Sequence, residues 1–143
     1  MRKRSDSCYA SPQGTPQEIS EAAAMGIALV VNNRPDDEAP GQPASADIEA
    51  ATRAAGMDYL AIPVGSSGFS EPQVEKLQDA LAAAQGPVLG FCRSGTRSTL
   101  LWALAQARTG EDPETIGAAA ADAGYDVAPV RPAMDMFAAR ARG

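Results

Sequence analysis

With 143 residues, 45% of them hydrophobic and 21% charged, the chain has the size and composition of one globular domain with an ordinary core. Its net charge of −6 argues against general nucleic-acid binding and against attachment to an anionic membrane surface, and no apolar run approaches a membrane span. Histidine is absent, which excludes Ser-His-Asp and Cys-His catalysis within the chain and every histidine-containing zinc site. No metal or cofactor is expected.

The start, Met1-Arg2-Lys3-Arg4, is basic but has no apolar core behind it, so it reads as a frayed end or part of a first strand, not a signal peptide. The expected location is therefore cytoplasmic. Cys8 falls in this stretch, and one strand is expected before Gly14. Thr15-Pro16-Gln17-Glu18 is a capping box with proline at the first helical position, opening a helix to about Met25 that Gly26 stops. Ile27–Val31 is a continuous apolar run, the mark of a buried parallel strand. The polar, proline-rich loop from Asn32 to Pro43 leaves the end of that strand where open α/β sheets place ligands. Ser45 is expected to cap a second helix through Ile48, Ala51, Thr52 and Ala55, ending at Gly56.

Tyr59–Val64 predicts the next strand, and Gly65 to Gly68 a flexible loop in which Ser66 and Ser67 are read as loop residues. A second capping box, Ser70-Glu71-Pro72-Gln73, opens a helix with Val74, Leu77 and Leu81 on one face, and Phe69 is placed to staple onto Val74. Pro87–Phe91 is the strand before Cys92. Leu100, Leu101, Leu104 and Ala105 mark the helix after it, with Trp102 read as core. Asp112-Pro113 opens another helix, and Met134, Phe137 and Ala138 mark a last one over about 131–142. The order predicts a single α/β domain over residues 1–143: a three-layer sandwich with a small, mostly parallel sheet flanked by helices.

The chemistry concentrates at Cys92-Arg93-Ser94-Gly95-Thr96-Arg97-Ser98. A strand that turns straight into a helix aims the intervening amides at one point, and with the helix dipole they bind an anion and favour thiolate over thiol. A structural cysteine would not need two arginines and a glycine turn beside it. Cys92 and Arg97 are therefore the expected catalytic pair, and Arg93, Ser94, Gly95, Thr96 and Ser98 the anion-binding loop. Arg93 is read as a specificity charge. Arg34, in the loop after the first clear strand, is a possible second clamp or brace, and Asp36, Asp37 or Glu38 would supply any acid. Two cysteines so far apart make no disulfide framework; Cys8 is read as a chance position near a mobile terminus, with a resolving thiol for Cys92 as the alternative.

The loop reads C-x4-R. Cysteine phosphatases use C-x5-R, usually with histidine before the cysteine; Cys-Arg-Ser-Gly-x-Arg-Ser resembles the shorter loops of rhodanese sulfurtransferases. The wider segment from about Ile27 to Ala107 resembles the bacterial beta-lactamase-hydrolase-like, phosphatase-like domain family. The resemblance is carried by Val30-Val31-Asn32-Asn33-Arg34-Pro35-Asp36, Pro40-Gly41-Gln42-Pro43, Ile62-Pro63-Val64, and Phe91 to Ser98 with Leu101-Trp102-Ala103. It implies a dual-specificity-phosphatase-like fold. It also implies a functional link to metallo-hydrolases of the persulfide dioxygenase type, to which family members are fused.

Loop length, Phe91 in place of histidine, and no aspartate between Gly65 and Gly68 favour sulfur transfer through a Cys92 persulfide, from a small anionic or persulfide substrate. The alternative is hydrolysis of a phosphorylated substrate through phosphocysteine, with Arg97 clamping the equatorial oxygens. A third reading is an inactive module that binds an anion or a partner.

Overall fold

The computed structural model describes residues 2–5, 8–65 and 68–143, with side chains from Cys8 onward. The expectation for Ser66 and Ser67 lies outside the described residues. Where one strand is expected before Gly14, there are two: β1 (Arg2–Ser5) and β2 (Cys8–Ser11) pair antiparallel. Arg2-Lys3-Arg4-Ser5 contains no apolar residue, a composition suited only to a sheet edge. Its strand character comes from pairing with β2, which sequence periodicity does not report.

From there the alternation proceeds as predicted. α1 (Pro16–Glu21) tightens into a 3₁₀ turn over Ala22–Met25 and stops at Gly26, whose φ of 88° is left-handed. β3 (Leu29–Asn32), α2 (Ser45–Ala54), β4 (Asp58–Ala61), α3 (Glu71–Ala83), β5 (Val88–Phe91) and α4 (Thr96–Arg108) follow, then α5 (Pro113–Asp122) and α6 (Arg131–Arg142). β4 stops three residues short of the predicted Val64. Pro63 has no N–H to continue the ladder, although the amides of Ile62 and Val64 still donate to the Asn32 and Asn33 carbonyls at 2.9 Å each.

Both capping boxes form. The Thr15 hydroxyl accepts from the Glu18 amide while the Glu18 carboxylate accepts from the Thr15 amide, each at 3.1 Å. Ser70 and Gln73 make the equivalent pair. The cap of α2 differs from expectation. Ala44 is the N-cap and Ser45 the first helical residue, and the Asp36 carboxylate, from the preceding loop, accepts from the Ser45 amide at 2.8 Å. The Ser45 hydroxyl is engaged instead by Asn32 Nδ2 at 3.0 Å.

The sheet runs β1-β2-β5-β3-β4, parallel from β2 onward. Alternate residues of its central strands point to opposite faces. Val30, Leu89 and Phe91 meet Ile19, Ile48 and Met57 under α1 and α2. Leu29, Val31 and Val88 face the larger layer built from α3 to α6. α4 runs through the middle of that layer and is buried from Ser98 through Ala105, Trp102 included, so its buried surface extends round the helix beyond the predicted Leu100, Leu101, Leu104 and Ala105. Cys8 is 2% exposed in β2 and belongs to the same core. It is no accident of a loose terminus.

α6 completes this layer through Met134, Phe137 and Ala138, all buried. Met134→Ala is expected to cost about 2–5 kcal/mol, read as a lower urea midpoint at unchanged m-value.

Candidate active site

The site begins where three parallel strands end together. Phe91 of β5 is in register with Ser11 of β2 on one side and Asn32 of β3 on the other. The three chains leave the sheet side by side and stay tied: Asn33 N donates to Phe91 O at 2.9 Å, Cys92 N to Ser11 O at 3.4 Å, and Gln13 N to Arg93 O at 3.3 Å. Cys92, Gln13 and Arg34 are thereby brought to one edge of the molecule, at the carboxyl ends of the strands.

Cys92 is completely buried. Residues 92–95 turn the chain from β5 into α4, and Gly95, the N-cap, has φ 90°. That conformation turns the Gly95 amide onto Cys92 Sγ at 3.1 Å. A side chain at Gly95 would run into the Tyr125 hydroxyl, so both backbone angle and space require glycine here. Ser94 and Thr96 face solvent and join through their hydroxyls at 3.0 Å. Ser98 is buried in the first turn of α4. Arg93 is exposed, and its guanidinium makes no hydrogen bond or ion pair among the described residues.

Arg97, in the first turn of α4, extends over the site. Its guanidinium donates to Glu38 Oε2 at 2.7 Å and Oε1 at 2.8 Å, and to the Val64 carbonyl at 2.6 Å. The Glu38 hydrogen bond, then the charges of nearby Cys92 and Glu38, hold the Arg97 guanidinium above its ordinary pKa against the opposing effect of burial. Arg34, buried in the loop after β3, donates to Glu38 Oε1 at 3.0 Å and to Gln13 Oε1 at 3.3 Å. It braces Glu38 and the β2 end of the site.

Of the three acids considered, Glu38 is the one placed on Arg97. Asp36 is occupied capping α2, and Asp37 is exposed in a left-handed turn with φ 63°. The carboxylate of Glu38 grips both prongs of the Arg97 fork, the geometry by which arginine takes two oxygens of a phosphate or carboxylate. Glu38 thus occupies both prongs of the Arg97 fork. Sequence spacing gave no sign of this contact, since Glu38 and Arg97 lie 59 residues apart. Tyr125, whose hydroxyl donates to the Ser94 carbonyl at 3.2 Å, was equally invisible.

Cys8 is not placed to resolve Cys92. It is paired with Val88, four residues before Cys92 along β5, a separation of about 13 Å at strand rise, beyond disulfide reach. Neither cysteine is in a disulfide among the described residues.

The profile of the family described as beta-lactamase hydrolase-like protein, phosphatase-like domain, matches residues 1–109. The chain belongs to this family. A beta-lactamase hydrolase-like protein of Agrobacterium fabrum is 41% identical over 93 residues, 65% of this chain but 22% of that protein. The chain thus spans about a fifth of the length of this curated relative. Among solved structures, a candidate phosphatase from Neisseria meningitidis shares 32% identity, with a TM-score of 0.81 over 95% of this chain and 96% of its own. Human DUSP28, at 16% identity, aligns over 99% of this chain and 98% of its own with a TM-score of 0.68. The fold is that of the dual-specificity cysteine phosphatases, as the resemblance implied. No helix among the described residues is long and apolar enough to cross a membrane.

The Arg97 hydrogen bond, above all other causes, holds the Glu38 carboxyl below its ordinary value of 4.5. Because the folded value is depressed, the stabilisation from this pair is present above 4.5 and is lost as pH falls through the lower folded value. Calorimetric titration with sulfate at neutral pH is expected to show about fivefold tighter binding to Glu38→Gln than to wild type, the scale of a part-exposed ion pair. The difference should vanish at pH values below the depressed one, where wild-type Glu38 is neutral too.

Proposed function

We propose that this domain is a cysteine-dependent phosphoester hydrolase. The observation that carries the reading is the two-oxygen grip of Glu38 on Arg97 beside a buried cysteine that receives a backbone amide. A phosphoryl group offers Arg97 the same pair of oxygens once Glu38 is displaced. Cys92, as thiolate, attacks phosphorus; the bond to the leaving oxygen breaks, and phosphocysteine forms. Arg97 and the amides at the start of α4 hold the charge on the equatorial oxygens. Water then breaks the sulfur–phosphorus bond and releases phosphate.

Leaving-group protonation defines the substrate class. No acidic residue occurs between Ile62 and Ser70, and Glu38 is held as a carboxylate by two arginines. The enzyme therefore works on phosphoesters whose leaving group departs without a proton. Aryl phosphates should be turned over, with alkyl phosphates at least about a hundredfold slower, the smallest usual contribution of a general acid. Cys92→Ser should abolish turnover, and Arg97→Lys should lower kcat by about a hundredfold or more through loss of the fork.

Sulfur transfer is the second reading, favoured by the one-residue-shorter loop and the same lack of an acid. Here the Cys92 thiolate attacks the outer sulfur of thiosulfate, the S–S bond breaks, and sulfite leaves. Intact mass after incubation with thiosulfate separates the two. A gain of about 32 Da on wild type and none on Cys92→Ser would assign sulfur transfer. Aryl phosphate turnover without that gain assigns hydrolysis.

A further inference from the structure

The peptide joining Ser94 to Gly95 carries two contacts on opposite edges. Its carbonyl accepts from the Tyr125 hydroxyl at 3.2 Å, and its N–H donates to Cys92 Sγ at 3.1 Å. This peptide is trans, and a trans peptide is planar with C=O and N–H pointing opposite ways, so fixing the carbonyl fixes the direction of the amide. Gly95, at φ 90°, has no side chain to resist rotation of the unit, and the Tyr125 hydroxyl occupies the space beside its Cα. We infer that Tyr125 is a positioning residue for the nucleophile: its hydroxyl holds the Ser94–Gly95 peptide so that the amide faces Cys92 and the carbonyl faces away from the anion. Donation to the carbonyl also strengthens the amide as a donor, because hydrogen bonds in series polarise one another.

Tyr125 is itself well held. It is 9% exposed, packs in the larger core layer, and donates its amide to the Ala120 carbonyl at 2.9 Å at the end of α5. It lies beyond residue 109, where the family match ends. The chain past that point therefore serves the site, through Tyr125, as well as the core. A tyrosine needed only for packing is replaceable by phenylalanine; one that holds a peptide is not.

The inference rests on Cys92 being the nucleophile, and alkylation tests it without any substrate. Iodoacetamide modification is followed by peptide mass, which scores Cys92 and Cys8 separately. In Tyr125→Phe, Cys92 is expected to alkylate about fivefold more slowly, the scale of one net hydrogen bond, with the fold retained in near-ultraviolet circular dichroism and the melting temperature lower by no more than a few degrees, about what one hydrogen bond contributes. On an aryl phosphate, kcat should fall by a similar factor with KM unchanged, because Arg97 is untouched. Alkylation of the folded variant at the wild-type rate overturns the inference. So does loss of the fold in near-ultraviolet circular dichroism, since the hydroxyl would then be a structural requirement. Slower alkylation in Tyr125→Phe, together with no phosphoester turnover by wild type, sinks the proposed reaction and leaves the positioning role standing.

Discussion

One left-handed residue governs the site. Gly95 lets the chain pass from the last residue of β5 to the first of α4 through residues 92–95. The shortness of that turn buries Cys92 at the end of a core strand, aims an amide at its sulfur, and sets the positive end of the α4 dipole behind it. It also fixes where Arg97 falls. In the first turn of a helix anchored by Ser98 and Thr99 in the core, Arg97 has little choice but to reach across the mouth of the turn to the Val64 carbonyl and Glu38. A residue with a Cβ at position 95 would force the whole arrangement to move.

The electrostatics are local and self-balanced. In a molecule of net charge −6, Arg34 and Arg97 converge on one carboxylate, Glu38, from two different elements. Arg93, in the turn before α4, is exposed and makes no hydrogen bond or ion pair among the described residues. The two-oxygen pairing is one that a tetrahedral oxyanion also offers an arginine. The same pairing keeps Glu38 ionised, so the loop that closes on the site does not bring a proton with it.

Around this edge the rest of the domain is support. α4 is buried over most of its circumference between α3 and α6, so the strand-turn-helix unit is held by packing at both ends. Glu71, the first acid after the β4 loop, is spent on Arg108 and Arg140, tying α3 to α4 and α6. The acid nearest in sequence to that loop thus has a structural partner. The family relationship covers residues 1–109, yet the larger core layer also needs Ile116, Tyr125, Met134 and Phe137 from beyond it.

What the sequence alone determined follows from local physics. The continuous apolar runs at β3 and β5, the two capping boxes, the glycine stop after α1 and the Cys92-to-Ser98 turn all act within a few residues, so spacing and residue type sufficed to place them. The three-layer fold followed from their alternation. The tertiary structure decided what depends on distant pairings. β1 is a strand because β2 offers it an edge. Asp36 caps α2 from across a loop, displacing Ser45 from that role, and Cys8 is a core residue held far from Cys92 by sheet register. Glu38 became the carboxylate on Arg97, and Tyr125 the support of the Ser94–Gly95 peptide, through contacts spanning 59 and 31 residues. No periodicity records such contacts, because they exist only once the strands and helices have packed.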